Sequence, residues 1–457
     1  MKNQQASIVL NLSLLSMKNI LIIGAGRSAT SLIDYLMKYT SSIGWNITVG
    51  DVSEELVKSK TIGYSHARGI IFDINNSEQR IREITNADIV ISMLPATMHM
   101  SVAKDCVEYK KHLITASYIS PEMKALHFEA ESKGILLLNE CGLDPGIDHM
   151  SAMKIIDELK DKNAKLNSFR SYCGGLVAPK YDTNPWGYKF SWNPRNVVLA
   201  GQGTARYIEN GKLKFLPYHR LFAESTQIEV QGHGKFDAYA NRDSISYREP
   251  YGIEKINEII RGTLRMPGYC EAWNIFIQLG LTDDSYLFPA EKGMTFNDLL
   301  ASFLPGNDHL ETRLLNFIPE KKKEIVDKIK WLGFFENIPL PEGHRSPAAL
   351  LQYLLEITWK LEPGDCDRIV MQHEFHYQLN NNNFIKYSSL IVDGDNDKFT
   401  AMAKTVGLPM AISCKLIIEN KIHLKGVQIP VKKEIYEPVL KELESLGIKF
   451  NEYEKTI

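Results

Sequence analysis

The sequence predicts an α/β chain: a Rossmann-type doubly wound parallel sheet, followed by a second α/β substrate domain with a helical insertion. Three observations carry this. Between residues 19 and 49 an apolar run, a glycine turn, a helical pattern and a second apolar run follow one another. Apolar strands then alternate with helical spacing as far as Leu138. Finally, 457 residues exceed what one hydrophobic core usually organises.

The elements follow in order. A strand over 20–23, a helix over 28–37 and a strand over 46–49 make one right-handed βαβ unit. Strands over 67–72, 89–93, 112–116 and 135–138 continue the sheet, with helices over 77–85 and 98–109 between them. Asp144 and Pro145 read as the N-cap and first residue of an amphipathic helix running through Ile156. Beyond it lie strands over 166–173 and 227–231, a charged helical region over 311–332, and alternating strands over 368–379 and 384–393. A last helix is expected over 399–416 despite Pro409. The predicted divisions are an extension at 1–16, a dinucleotide-binding domain at 17–143 and a substrate-binding and dimerisation domain at 144–398. The second domain carries its helical subdomain near 290–360, and 399–457 returns to the first domain.

Composition narrows the partners. With 53 Lys and Arg against 55 Asp and Glu, and no long run of one sign, the chain lacks the basic surface that grips nucleic acid or anionic lipid. A small-molecule partner is expected. Cys106, Cys141, Cys173, Cys270, Cys366 and Cys414 lie far apart with no C-x-x-C pair, so they read as reduced thiols of a cytoplasmic protein, without zinc or other metal. The apolar stretch over 8–15 is far below the roughly 20 residues of a membrane span. Met17-Lys18-Asn19-Ile20 leads straight into the first strand with no small-residue cleavage site, so Met17 is a plausible true start.

Gly24-Ala25-Gly26-Arg27-Ser28-Ala29 fits G-x-G-x-x-A directly after a strand and before a helix. Glycines there let the backbone approach a pyrophosphate, and the helix N-terminus supplies positive potential. Asp51, at the end of the second strand, can accept hydrogen bonds from both hydroxyls of an adenosine ribose, which favours NAD and leaves NADP possible. The competing reading makes Asp51 a turn former ahead of the helix that follows Ser53. Leu94 and Pro95 after the fourth strand, and Ser117 and Tyr118 after the fifth, emerge at the carboxyl edge where ligands of open α/β sheets bind.

Several longer segments resemble the glutamate-forming saccharopine dehydrogenase and reductase family: TASYISP from Thr115, NECGLDPGIDH from Asn139, SFRSYCGG from Ser168, NPWGYKFSWNPR from Asn184, NRDS from Asn241, RGTLR from Arg261 and AKTVGLP from Ala403. The resemblance implies a Rossmann domain, an α/β substrate domain with substrate held between the two, and a homodimer. Cofactor contacts carried over fall on Ala25 to Ser28, Asp51, Asp73, Ile74, Leu94, Ser117, Leu143, Asp144 and Pro145. Substrate contacts fall on Ser117, Tyr118, Asp144, Arg242, Thr263, Leu264 and Arg265. Two departures stand out: Gly50-Asp51 where fungal NADP members carry an Arg, and Ala96 where they carry a Tyr.

The implied reaction oxidises saccharopine, a secondary amine with three carboxylates, to an imine that water splits into glutamate and 2-aminoadipate 6-semialdehyde. Arg242 and Arg265 suit carboxylates because a guanidinium binds one through two parallel hydrogen bonds. Ion pairing of these arginines with Asp243 or Glu249 is the competing reading. Asp144, Tyr118, Asp148 and His149 are candidates for proton transfer, with none assigned. His149 reads more readily as a packed histidine, and Cys173 as a buried thiol. Trp186, Tyr188, Phe190 and Trp192 suit either the wall of a site or a core. A related imine-reducing dehydrogenase of carboxynorspermidine type, or a nicotinamide-binding regulator without turnover, are the alternatives.

Overall fold

The computed structural model describes residues 17–200, 202–343 and 345–457, and the expected extension at 1–16 lies outside them. The described chain forms two compact units, one of 17–161 with 398–449, the other of 162–397 with 450–457.

Strands are numbered in order along the whole chain. In the first unit, β1 (Asn19–Ile23), β2 (Asn46–Asp51), β3 (Ala67–Ile71), β4 (Ile89–Ser92), β5 (His112–Thr115), β6 (Leu136–Leu138) and β15 (Gly426–Gln428) form one sheet. Its order is β15-β6-β5-β4-β1-β2-β3, and every pairing is parallel. The order 3-2-1-4-5-6 inside it is that of dinucleotide-binding sheets, with β15 added at one edge. Parallel strands covered on both faces must be apolar throughout, and Ile89-Val90-Ile91-Ser92 is buried at all four positions.

The helix Ala401–Ile418 is apolar nearly all round because it is an inner helix of this unit: 83% of it is buried. It is the one helix among the described residues long and apolar enough to cross a membrane, and core packing accounts for that composition. Gly407 makes its crossing with the helix Thr30–Ser41 possible, since a Cβ there would lie 2.9 Å from the Leu32 nitrogen.

Two boundaries differ from the sequence expectation. The helix after β6 spans Ile147–Asp161 and belongs to the first unit, where Tyr436 donates to Asp157 at 2.7 Å from the helix Lys433–Ser445. Its start is also later than expected: Asp144 and Pro145 lie in a turn ahead of the helix. At the other end, β16 (Phe450–Thr456) leaves the first unit and pairs antiparallel with β14 (Asn382–Asp393) in the second.

The second unit is built on a mixed nine-stranded sheet. Its path is β10 (Thr226–Val230), β11 (Gly234–Ala240), β12 (Glu258–Arg265), β7 (Lys165–Val177), β13 (Asp367–Leu379), β14 and β16, with β8 (Thr204–Glu209) and β9 (Lys212–Pro217) paired off it. Helices Tyr269–Leu279, Phe296–Phe303, Leu310–Phe317, Lys323–Trp331 and Pro347–Thr358 supply the apolar cluster of this unit together with Trp186, Tyr188 and Phe190. All six cysteines are free and buried.

Candidate active site

In the first unit the parallel strands bring their carboxyl ends to one edge. Gly24 follows β1 there with φ +103°, and a Cβ on it would meet Met93 at 3.1 Å, so only glycine turns the chain here without displacing the end of β4. Gly26 and Arg27 form the exposed outer lip of the turn, and a Cβ on Gly26 would meet nothing within 4 Å. The residues fit a dinucleotide: a glycine turn with an open lip, set at the point where the strand order reverses.

Asp51 ends β2 half-buried, and its two oxygens accept from the backbone nitrogens of Ala25 at 2.7 Å and Ser53 at 2.9 Å. It therefore ties the glycine turn to the next helix, much as the turn-former reading has it. Asp73 is exposed after β3, and Ile74 is buried beside it. Leu94 is half-buried against the core and Pro95 is exposed, both just past β4.

Past β5, the Ser117 nitrogen donates to Thr115 Oγ1 at 3.0 Å, and the Ser117 carbonyl accepts from the Glu140 nitrogen at 3.1 Å. Tyr118 donates its hydroxyl to Asp144 Oδ1 at 3.2 Å, so the two foremost proton-transfer candidates form one pair. Leu143 and Pro145 are buried on either side of Asp144. Asp148, the second residue of the helix, is buried and accepts from the Gly146 nitrogen at 2.6 Å just ahead of the helix, while Asp144 lies three residues before the first helical residue, Ile147.

The packed reading of His149 matches what is seen. It is fully buried, with Nε2 2.9 Å from Glu140 Oε2, while Glu140 Oε1 accepts from the Ile119 nitrogen at 2.9 Å. Glu140, in the left-handed region at φ 54°, thus clamps the Ser117–Ile119 loop to the helix behind it. The sequence reading did not single out Glu140, although it stands inside the NECGLDPGIDH segment. It also passed over His99, a buried residue bonded to Ser92 and Ser117.

In the second unit β12 lies inside the sheet, antiparallel to β11 and parallel to β7. Thr263 faces Tyr239 on one neighbour and Cys173 on the other. Leu264 is fully buried in a core cluster, so its side chain is part of the packing and not of a polar site. Arg265 is 4% exposed, and its guanidinium lies 5.3, 5.8 and 5.4 Å from the ring centres of Tyr188, Tyr239 and Tyr269. Arg265 donates through Nη1 to the Leu264 carbonyl, and its Nε has no hydrogen-bond partner. Burial alone would lower its pKa, but Tyr239, Tyr269, Tyr188 and Cys270 around it outweigh that, and it stays charged.

Among the described residues no carboxylate pairs with Arg265. The residue across the ladder is Asp237, whose Oδ2 is taken up by the nitrogens of Gly268 at 2.9 Å and Cys270 at 3.3 Å. A buried cation without an anion is costly unless an anion arrives. Arg242 is placed differently: it is exposed, with a left-handed backbone at φ 48°, and Asp243 beside it pairs with Arg206 at 2.7 Å. Trp186 and Phe190 are core residues, and Tyr188 is both core and part of the cage around Arg265. Trp192 is partly buried against the same core. Cys173 is buried, as expected of an inert thiol. Among the described residues no cluster of His, Cys, Asp and Glu is arranged to hold a metal.

The first unit is thus a Rossmann-type dinucleotide-binding domain, and the second holds a buried cation caged by tyrosines. Residues 20–138 match the family model described as the saccharopine dehydrogenase NADP binding domain, and residues 142–448 match the saccharopine dehydrogenase C-terminal domain. The saccharopine dehydrogenase [NADP(+), L-glutamate-forming] of Pyricularia oryzae is 34% identical over 95% of this chain and 98% of its own length. Alpha-aminoadipic semialdehyde synthase of Arabidopsis thaliana is 36% identical over 95% of this chain, which spans only 44% of that longer protein. The solved apo saccharopine dehydrogenase (L-Glu forming) from Saccharomyces cerevisiae superposes with a TM-score of 0.85 at 32% identity, covering 96% of this chain and all of that one. The chain belongs to the saccharopine dehydrogenase family, and its first unit binds a nicotinamide dinucleotide. The NADP binding of the matched family domain and the NADP(+) enzyme of the fungal relative favour NADP over the NAD to which Asp51 pointed.

Proposed function

We propose that the chain is a glutamate-forming saccharopine dehydrogenase, which oxidises saccharopine to L-glutamate and 2-aminoadipate 6-semialdehyde with a nicotinamide cofactor, reversibly, in lysine metabolism. The observation that carries the reading is Arg265, a buried guanidinium in a tyrosine cage whose cross-strand carboxylate is bonded elsewhere. A ligand carboxylate completes such a site by charge-assisted hydrogen bonds. Thr263, half-buried two residues earlier on β12, supplies a hydroxyl on the same strand, and exposed Arg242 supplies a second guanidinium. The fungal relatives of nearly equal length support the substrate.

A bound nicotinamide would supply the hydride acceptor for the carbon next to the secondary nitrogen. The chain's part is to orient the substrate carboxylates through Arg265, Arg242 and Thr263, and to hold a proton at the Tyr118–Asp144 pair for exchange with the nitrogen. For the cofactor, NADP takes precedence over NAD. The relatives' names support it, Asp51 is engaged by its own backbone, and Glu54 is neutralised by Lys58 at 2.6 Å. Arg27 on the lip of the turn offers a cation for a phosphate. A homodimer in the cytoplasm goes with this reading, and six free buried thiols suit a reducing compartment.

The test is absorbance of reduced nicotinamide after mixing the protein with saccharopine and NADP, or NAD, at mildly alkaline pH, with glutamate assayed in the product. A rise with NADP and stoichiometric glutamate is expected. A rise with NAD alone overturns the cofactor choice, and no rise with either overturns the substrate.

A further inference from the structure

At the carboxyl edge of the first unit's sheet one histidine spans two strand ends. His99 opens the helix His99–Glu108 and is 4% exposed. Its Nδ1 lies 2.8 Å from the hydroxyl of Ser92, the last residue of β4, and its Nε2 lies 2.8 Å from the hydroxyl of Ser117, just past β5. Strands β4 and β5 are parallel neighbours, with Ser92 opposite Thr115, so the imidazole staples adjacent strand ends where a dinucleotide sheet meets its ligands.

We propose that His99 is a positioning residue that fixes the Ser117 hydroxyl toward bound ligand, through a Ser92–His99–Ser117 chain of hydrogen bonds. This rests on the reading of Ser117 as a ligand contact. A neutral imidazole offers one donor and one acceptor, so of the two serine hydroxyls one donates to the ring and the other accepts from it. Burial holds the ring neutral, lowering its pKa to about 4. A serine hydroxyl otherwise rotates freely; bonded to Nε2, the Ser117 hydroxyl keeps its remaining hydrogen-bond capacity on the side away from the ring. Ser117 itself is only half-buried and is held by its backbone at Thr115 and Glu140, so both its main chain and its side chain are fixed before any ligand arrives. At the other end Ser92, though it closes β4, is 1% exposed, so the chain leads no proton to solvent. The role is therefore orientation and not proton transfer.

A double-mutant cycle on the full chain tests this, using His99→Phe, Ser117→Ala and the pair together. NADPH affinity is read by quenching of tryptophan fluorescence, KM and kcat with saccharopine are measured alongside, and melting temperature monitors the fold. Each single change is expected to weaken NADPH binding or raise the KM for saccharopine by roughly threefold to tenfold, the worth of one hydrogen bond. The double variant should be no worse than the worse single, and His99→Gln should recover part of the loss. Losses that multiply in the double variant overturn the proposal, as does a His99→Phe protein that melts lower with unchanged binding and KM. If His99→Phe does not fold, Ser92→Ala takes its place in the cycle with the same two outcomes. A silent Ser117→Ala removes Ser117 from the ligand site and the proposal with it, whereas a damaging Ser117→Ala with an independent His99→Phe removes only the positioning role. Because NADPH binding is measured directly, the cycle reads out even if saccharopine is not turned over.

Discussion

Replacing Arg265 by Met separates a ligand-binding cation from a structural one, because the two roles predict opposite signs for stability. Met is uncharged and of similar length. In the free protein no carboxylate among the described residues pairs with Arg265, its Nε is unbonded and its Nη1 donates to its neighbour's carbonyl, with three tyrosine rings at 5.3 to 5.8 Å. Cation–π contacts of this kind contribute about 0.5–2 kcal/mol each, while keeping a charge out of water costs several kcal/mol. The two nearly offset, so Arg265→Met should unfold within about 1 kcal/mol of the parent in urea, or later. Substrate binding should behave otherwise. Removing one partner of a buried, hydrogen-bonded charge pair costs about 2–5 kcal/mol, and each 1.4 kcal/mol is tenfold in affinity. The KM for saccharopine should therefore rise at least about 30-fold, with NADPH affinity unchanged. Urea titration, fluorescence titration and initial rates together decide it. A variant about 3 kcal/mol less stable with an unchanged KM would refute the reasoning and make the tyrosine-caged guanidinium a structural element.

Three further outcomes are expected. Asp51→Ala leaves the Ala25 and Ser53 nitrogens without their acceptor, which should cost about 2 kcal/mol in urea and raise the KM for cofactor, while substrate KM holds. An unchanged midpoint would show that water replaces the carboxylate. Tyr118→Phe removes the hydroxyl donated to Asp144; kcat should fall at least about tenfold with the melting temperature little changed, and an unaltered kcat would exclude the pair from proton handling. His99, with its pKa lowered to about 4 by burial, binds fewer protons folded than unfolded between about pH 4 and the ordinary value of 6.5. Its contribution is complete above pH 6.5 and is lost as pH falls toward 4, up to about 3 kcal/mol in all. Urea midpoints should show this loss in the parent and a smaller one in His99→Phe, and parallel curves would count against a neutral buried imidazole.

Local pattern made much of this molecule legible. A glycine turn between an apolar strand and a helix needs only neighbours in sequence, so Gly24 to Ser28 could be read directly, as could the run of parallel strands whose two covered faces demand continuous apolar residues. Arg265 and Thr263 were marked by the RGTLR segment and not by any periodicity. What the sequence could not supply was partnership. The sequence marks Asp51 as an acceptor at the end of a strand, but not that its oxygens already take the Ala25 and Ser53 nitrogens. Asp144 looks like a helix cap until the helix is seen to begin at Ile147, with Asp148 holding the Gly146 nitrogen. Arg265 is one arginine among many until the carboxylate opposite it proves to be occupied by a helix start. His99 and Glu140 carry no signal of their own, because their roles arise where separate strand ends meet. Short-range chemistry thus determined the dinucleotide turn and the alternation of elements. Which polar groups are already satisfied, and which still need a ligand, was decided only when residues distant in sequence were packed together, since hydrogen bonds and desolvation act over a few ångströms of space and not of chain.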